Sequence, residues 1–269
     1  MPATTPPLAW TQQLSAPAPL AERVEFLLWV PPEASITWEH EVIPDANVDL
    51  LLELSATRCR AVLHGPLTRP IHVPTRAGHG YLVVHFHPGA MPRLVDASPG
   101  ELVNTAVELR ELGGVSLDAL GERLLAAGSL ESMREVLLPL LARAPYPPGD
   151  SFDRALRHLL AQPEPLRPSA LADALHLSTR TLQRAFKERV GFSPRMYARI
   201  TRLQEALSAL RVPPACSIAE VAHRIGYADH AHMTREFREL TGRPPSDFRH
   251  PARSPHVSHS FKPEALPTP

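Results

Sequence analysis

Two kinds of apolar spacing divide the chain. Between Val24 and Phe86 the apolar residues fall in short clusters: VEFLLWV, VDLLLEL, RAVLHG, PIHVP and GYLVVHF, separated by Pro, Gly and charged residues. Clusters of this length predict strands, although VDLLLEL also fits a helical turn. Further along, apolar residues recur at i, i+3, i+4. Residues 99–112, 116–127 and 129–144 therefore read as helices, with Ser116 and Ser129 as N-caps. The APYPPGD stretch at 144–150 breaks this pattern and predicts a domain boundary.

From Ser151 onward every periodic segment is helical. Phe152, Ala155, Leu156 and Leu159 make residues 151–161 amphipathic, and PEPLRP separates them from a helix at 169–175. Ser178 caps the next helix, which runs to Gly191, a residue suited to the position just past a helix end. Ser193 and Pro194 open a long helix to about Arg211, with Tyr197, Ile200, Leu203, Leu207 and Leu210 on one face. Pro213 and Pro214 stop it. Ser217 and Glu220 form a capping box. Asp229 caps a helix ending at Gly242, and a last short helix holds Phe248. The predicted class is α+β. A β-rich domain with trailing helices spans 21–145 and an all-α domain spans 151–250. Residues 1–20 read as a disordered arm and 251–269 as a disordered tail.

The all-α domain contains a repeat. LADALHLSTRTLQRAFKERVGFSP (from Leu171) and VAHRIGYADHAHMTREFRELTGRPP (from Val221) align at a shift of 51. Leu182 falls on Met233, Arg184 on Arg235, Phe186 on Phe237, Lys187 on Arg238 and Gly191 on Gly242. Each copy predicts a helix, a tight turn and a second helix with a basic outer face, the pattern of a helix-turn-helix DNA reader.

Charge distribution supports this reading. The net charge is +0, but residues 1–150 carry 10 Arg/Lys against 17 Asp/Glu, whereas residues 151–250 carry 16 against 10. A polyanion is drawn to the second part and repelled by the first. The two cysteines, Cys59 and Cys216, form no CxxC, so neither a disulfide framework nor a thiolate zinc site is expected. No apolar run approaches a membrane span, and the N-terminus lacks an export pattern. A cytoplasmic, nucleoid-associated protein is expected.

On the Ser178 helix, Arg180, Gln183, Arg184 and Lys187 share one outward stripe. Arg can grip guanine with two hydrogen bonds, Gln can do so on adenine, and Lys suits phosphate. The second stripe is Ala231, Thr234, Arg235 and Arg238, with His230 and His232 at the helix start. Its methyl groups can sense a thymine methyl. The plainer reading, two solvated faces of a helical bundle, does not account for matched caps, glycines and aromatic positions in both copies. The long helix between the copies holds both readers, and a turn of DNA is about 34 Å, so a monomer can read an asymmetric site.

These segments resemble the DNA-binding domain of AraC/XylS-family bacterial transcription regulators. The resemblance rests on LADALHLS, TLQRAFKERVGFSP, RLQEAL and SIAEVAHRIGYADHAHMTREFRELTGRPPSDFR. It implies a seven-helix, two-lobed tandem helix-turn-helix domain that binds promoter or operator DNA, often as an activator touching RNA polymerase. By position, Arg180, Gln183, Arg184, His230, Ala231, His232, Thr234 and Arg235 match the family's base-facing sites.

Upstream, IPDANVDLLLEL, GPLTRPIHV and HFHPGAMPRL resemble a β-rich domain of unassigned function found in such regulators. A cupin-like barrel or half-barrel is expected, sensing a small effector or forming a homodimer. Five histidines, His64, His72, His79, His85 and His87, lie close together in the sequence. His85 and His87 share a strand face and are the metal candidates, although no third ligand has a motif around it. No metal or other cofactor is expected. Cys59 reads as a buried apolar residue, and Trp29 and Trp38 as core or pocket wall. An alkyl-transfer repair protein with this type of DNA-binding domain needs an activated cysteine cluster, which the chain lacks. An enzyme carrying a DNA-binding appendage finds no GxSxG, GxGxxG or Cys/His pattern. A metal-dependent cupin-type sensor is a refinement of the regulator reading.

Overall fold

A computed structural model describes residues 12–16, 20–33, 35, 37–112, 114–144, 151–160, 167–211 and 217–249. Most of the arm, the tail, the APYPPGD stretch beyond Ala144, PEPLRP before Arg167, the Pro213–Pro214 stop and Cys216 lie outside the described residues.

The N-terminal half is an open antiparallel sheet in the order β1-β2-β7-β4-β5-β8. Its strands are β1 (Gln12–Ser15), β2 (Val24–Val30), β4 (Val48–Leu54), β5 (Cys59–His64), β7 (Gly80–Phe86) and β8 (Ala106–Leu109). Two small ribbons pair β3 (Trp38–Val42) with β6 (Ile71–Thr75), and β9 (Glu111–Leu112) with β10 (Val115–Ser116). Strand alternation sorts the side chains. Leu50, Leu52 and Leu54 face the same way as Leu82, Val84 and Phe86, and all join one core. Helices α1 (Leu117–Ala127) and α2 (Leu130–Arg143) cover that face through Leu120, Leu124, Met133 and Leu137. Ser116 and Ser129 cap them as expected. The opposite face carries Asp49, Glu53, Tyr81 and His85.

VDLLLEL is strand β4, as its apolar cluster predicts, and not the alternative helical turn. Two local expectations need correction. Residues 99–112 are turns followed by β8 and β9 rather than a helix. Asn104 takes a left-handed φ of 57°, and the edge of β5 pairs Leu63 with Val107 and Ala61 with Leu109. Long-range pairing overrode a period read from a short window. Within the supposed disordered arm, Gln12–Ser15 pair with β2, and Leu20 is buried.

The C-terminal half contains α3 (Ser151–Leu160), α4 (Pro168–Ala174), α5 (Thr179–Arg189), α6 (Pro194–Arg211), α7 (Ile218–Arg224) and α8 (His230–Thr241). With the closing 3-10 turn Pro245–Phe248 they make seven helical elements among the described residues. They enclose two cores. One holds Leu156, Leu171, Leu182, Phe186 and Ile200; the other holds Leu203, Leu207, Val221, Met233, Phe237 and Phe248. Helix α6 supplies both, with Met196 packed against each.

The two halves meet through the loop between β3 and β4. Ile43, fully buried, enters the second helical core, and Ala46 enters the first. Between them the Pro44 carbonyl accepts a 2.6 Å hydrogen bond from Gln204 Nε2 on α6. Arg243, beyond α8, pairs with Glu41 of β3.

Gly121 on α1 sits against β5, and a Cβ there would lie 2.5 Å from Cys59 Cβ. In an open helix, Gly→Ala stabilises by about 1 kcal/mol. Here the methyl must force the helix off the sheet, so Gly121→Ala is expected to destabilise by about 1–3 kcal/mol, read from the urea midpoint.

Candidate nucleic-acid interface

Each reader is built from a short helix, a turn and a longer helix. In the first unit α4 buries Leu171 and Ala172, and the chain turns through His176, held at a φ of 54°. In the second, α7 buries Val221 and Ala222, and Gly226 takes the matching turn position at 82°. Leu177 N–H donates to the Ala172 carbonyl as Tyr227 N–H donates to that of Ala222. Up to these residues the two copies are offset by 50, not 51. Ala228 is an extra residue in the second turn, and the offset of 51 holds only from the caps onward.

The caps then set both long helices. Ser178 accepts from Thr181 N–H at 3.2 Å and Asp229 from His232 N–H at 2.6 Å. The backbone hydrogen bond from His232 holds the Asp229 carboxyl below its ordinary range. At the far ends Gly191 and Gly242 take φ values of 103° and 73°, which side-chain-bearing residues rarely adopt. A Cβ on Gly191 would also lie 2.8 Å from Pro66 Cγ, so this glycine lets the first reader seat on the β-rich half.

Leu182 and Phe186 on α5, and Met233, Phe237 and Leu240 on α8, are buried. Arg180, Gln183, Arg184 and Lys187 are all exposed, as are His230, Ala231, Arg235 and Arg238. Two predicted contact residues are half-buried. His232 lies edge-on to Tyr227 at 5.4 Å, and the Thr234 hydroxyl donates to the His230 carbonyl at 2.8 Å. Thr234 therefore has its hydroxyl committed to its own helix, while His232 helps close the turn.

Other cations serve the frame. Arg189, at the end of α5, pairs with buried Asp153 of α3 and lies over the Phe152 ring. Arg199 on α6 binds Glu236 at 2.9 Å and also Glu239, both on α8, and Arg202 lies over Tyr227. These contacts lock α6 to the second reader. Sequence periodicity does not separate such cations from the outward stripe, because both are Arg on amphipathic helices.

The sheet face away from α1 and α2 carries two polar clusters that sequence reasoning did not assemble. Glu53, 8% exposed, binds Arg76 at 2.6 Å and His79 at 2.9 Å, with Arg60 at 3.8 Å. At the other end His85, 1% exposed, bonds Asp49 at 2.5 Å through Nδ1. Burial disfavours its imidazolium, but the charge and hydrogen bond of Asp49, then Asp45 and Glu25, push it up to about 9. Burial pushes the Asp45 carboxyl up to about 6 against the pull of His85. Cys59 is buried as expected. Burial, with the Asp118 charge, pushes its thiol up to about 11, the reverse of an activated nucleophile.

Residues 171–250 match the family model "Helix-turn-helix domain", and residues 12–108 match "Domain of unknown function (DUF6597)". Curated relatives are similar over part of their length. The HTH-type transcriptional activator RhaS of Pectobacterium carotovorum is 36% identical over 85 residues, 32% of this chain and 30% of that protein. RhaS of Salmonella schwarzengrund is 32% identical over 161 residues, 58% of this chain and 56% of its own length. Among solved structures, ToxT from Vibrio cholerae aligns at 8% identity with a TM-score of 0.43, covering 89% of this chain and 98% of that one. The two helix-turn-helix units together with the match over residues 171–250 make this region a tandem helix-turn-helix domain. That domain is of the AraC type. Among the described residues no helix is long and apolar enough to cross a membrane.

The Asp229 cap predicts an acid response with a definite sign. A carboxyl held below its unfolded value, about 3.9, contributes stability above that pH and loses it as pH falls through the folded value. Asp229→Ala is therefore expected to lower the melting temperature at pH 7, and the gap from wild type to shrink below about pH 4. A gap that is constant with pH would show that the carboxylate charge does not stabilise α8.

Proposed function

We propose that the chain is a sequence-specific, double-stranded-DNA-binding transcription regulator. Its α5 and α8 helices enter two adjacent major-groove segments of a promoter or operator. The single observation that carries this reading is the pair of capped helix-turn-helix units on one shared helix, each with an exposed polar or basic stripe. Helix α6 has 18 residues, about 27 Å at 1.5 Å per residue, which is commensurate with a DNA turn of about 34 Å. Arg180, Gln183 and Arg184, with His230, Ala231 and Arg235, read base edges. Lys187 and Arg238 bind phosphate. The Thr234 methyl meets an apolar base group, and His232 supports the helix start.

The matched relatives carry the name transcriptional activator, which supports activation through RNA polymerase as the mode of action, with no catalysed reaction and a cytoplasmic, nucleoid-associated site. The β-rich half, with the division from the reader domain falling at 145–150, acts as a sensing or association domain for a small effector or a homodimer partner. Its loop touches both reader cores, so a change there bears on both readers.

The test is binding to the promoter recovered from a genome-wide footprint. Arg184→Ala and Arg235→Ala are each expected to cost about 1–3 kcal/mol on the cognate site and to relax preference at one base pair. Lys187→Ala is expected to weaken all sequences alike and to lower the slope of log affinity against log salt by about 1. Undiminished sequence preference in both arginine variants would overturn the reading.

A further inference from the structure

The cluster around His85 is more than a buried ion pair. Its parts come from three segments. Asp49 and His85 are direct partners across β4 and β7. Glu25 sits at the irregularity between Val24 and Phe26 in the pairing of β2 with β7, where an extra residue can be turned toward a site. Asp45 comes from the β3–β4 loop. One ligand atom each of Asp45, Asp49 and His85 lie within 4.8 Å of one another.

Asp49 occupies His85 Nδ1. The other ring nitrogen, Nε2, is buried with no hydrogen-bond partner, and so is Asp45 Oδ2. These two orphaned atoms face each other at 3.9 Å, with Glu25 Oε2 3.7 Å from Nε2. Both separations are too long for hydrogen bonds. An imidazolium serving only to neutralise the carboxylates would donate from both nitrogens. The spacing instead approaches that of donors sharing one ion. Bonds of about 2.0–2.2 Å in tetrahedral geometry place ligand atoms about 3.3–3.6 Å apart.

The surroundings hold these donors in the attitude that ligands need. A ligating histidine typically gives its other N–H to a carboxylate, as His85 does to Asp49. Asn47 N–H donates to Asp45 Oδ1 at 3.1 Å, leaving Oδ2 toward the site, and Asn47 Nδ2 donates to Glu25 Oε2 at 3.2 Å and the Phe86 carbonyl at 2.9 Å. Phe26 stacks on the His85 ring at 4.4 Å and fixes its plane. His87 Nε2 faces the Ala21 carbonyl at 3.2 Å, which turns Nδ1 toward Glu25 Oε2 at 3.9 Å. Three carboxylates meeting in a largely buried place also call for more positive charge than one imidazole supplies.

We propose that His85 Nε2, Asp45 Oδ2 and Glu25 Oε2, with His87 Nδ1 as the fourth donor, form a binding site for one divalent transition-metal ion, Asp49 and Asn47 orienting the ligands. Mixed imidazole and carboxylate donors without thiolate suit Zn²⁺ and Mn²⁺ better than Mg²⁺ or Ca²⁺. The ion fixes Asp45, two residues from Ile43 and one from Ala46, and so stiffens the loop seated in both reader cores.

The test uses untagged, chelator-stripped full-length protein titrated with Zn²⁺ and with Mn²⁺ by calorimetry, with metal analysis after gel filtration. One tightly held ion per chain is expected for at least one of the two. X-ray absorption on that complex should show only nitrogen and oxygen ligands. Asp45→Asn and His85→Gln are expected to weaken binding more than 100-fold. Asp49→Asn should weaken it about 10–100-fold at unchanged stoichiometry. The exposed-site control His72→Gln should change nothing. If circular dichroism shows that Asp45→Asn or His85→Gln is unfolded, Glu25→Gln carries the test with the same expected loss. Absence of stoichiometric binding of both ions, or wild-type affinity in the folded ligand variants, overturns the site. None of these readouts involves DNA, so the outcome is independent of the regulator reading.

Discussion

The constraint on which the rest depends is that one helix completes two hydrophobic cores. Helix α6 gives Ile200 to the first lobe and Leu203, Ala206, Leu207 and Leu210 to the second. Neither lobe closes without it, because short helices such as α4 and α7 bury too little apolar surface to hold themselves. The apolar side of α6 therefore does for relative placement what a flexible linker cannot. Arg199 and Arg202 tie the same helix to α8 and Tyr227, so its polar side is engaged as well.

The β-rich half uses the same economy. Its β3–β4 loop is short, yet Ile43 and Ala46 point into different lobes, and Pro44 is held by Gln204 from the helix that joins them. A loop that buries an isoleucine completely within another domain behaves as core there rather than as a surface connection. Ala46 accepts a left-handed φ of 68° to do so, a conformation that costs a side-chain-bearing residue about 1–2 kcal/mol. That cost is tolerable only where surrounding packing over-determines the backbone. Asp45 lies between these two anchors, so the polar cluster on the sheet and the readers are mechanically adjacent although their residues are far apart in the chain.

Much of the reader domain was legible because its signals are local. Ser178, Ser193, Ser217 with Glu220, and Asp229 cap helices by bonding backbone groups three residues away. The glycines after α5 and α8 mark left-handed residues, and the apolar positions of α6 repeat at the helical period. A single shift of 51 was less successful. It hid Ala228, because aligning the strong pattern of the second helices leaves a one-residue difference in the turns unseen. Periodicity also could not tell Arg189 or Arg199, which hold the frame, from the outward Arg184 and Arg235.

The amino-acid order alone determined the local elements, the duplicated reader and the charge contrast between the halves, since capping, period and composition act over a few residues. It also identified β2, β4, β5, β6 and β7, five of the ten strands among the described residues. It did not determine that residues 99–112 extend along β5, that Gln12–Ser15 complete a sheet edge, or that Ile43 belongs to the core of another domain. Nor did it bring Glu25, Asp45, Asp49 and His85 together, since a tally of nearby histidines contains no information about carboxylates 36 to 60 positions upstream of His85. Those features come from strand register and interdomain packing. Both are long-range choices, in which a residue's partner is selected by the whole fold and not by its neighbours in the chain.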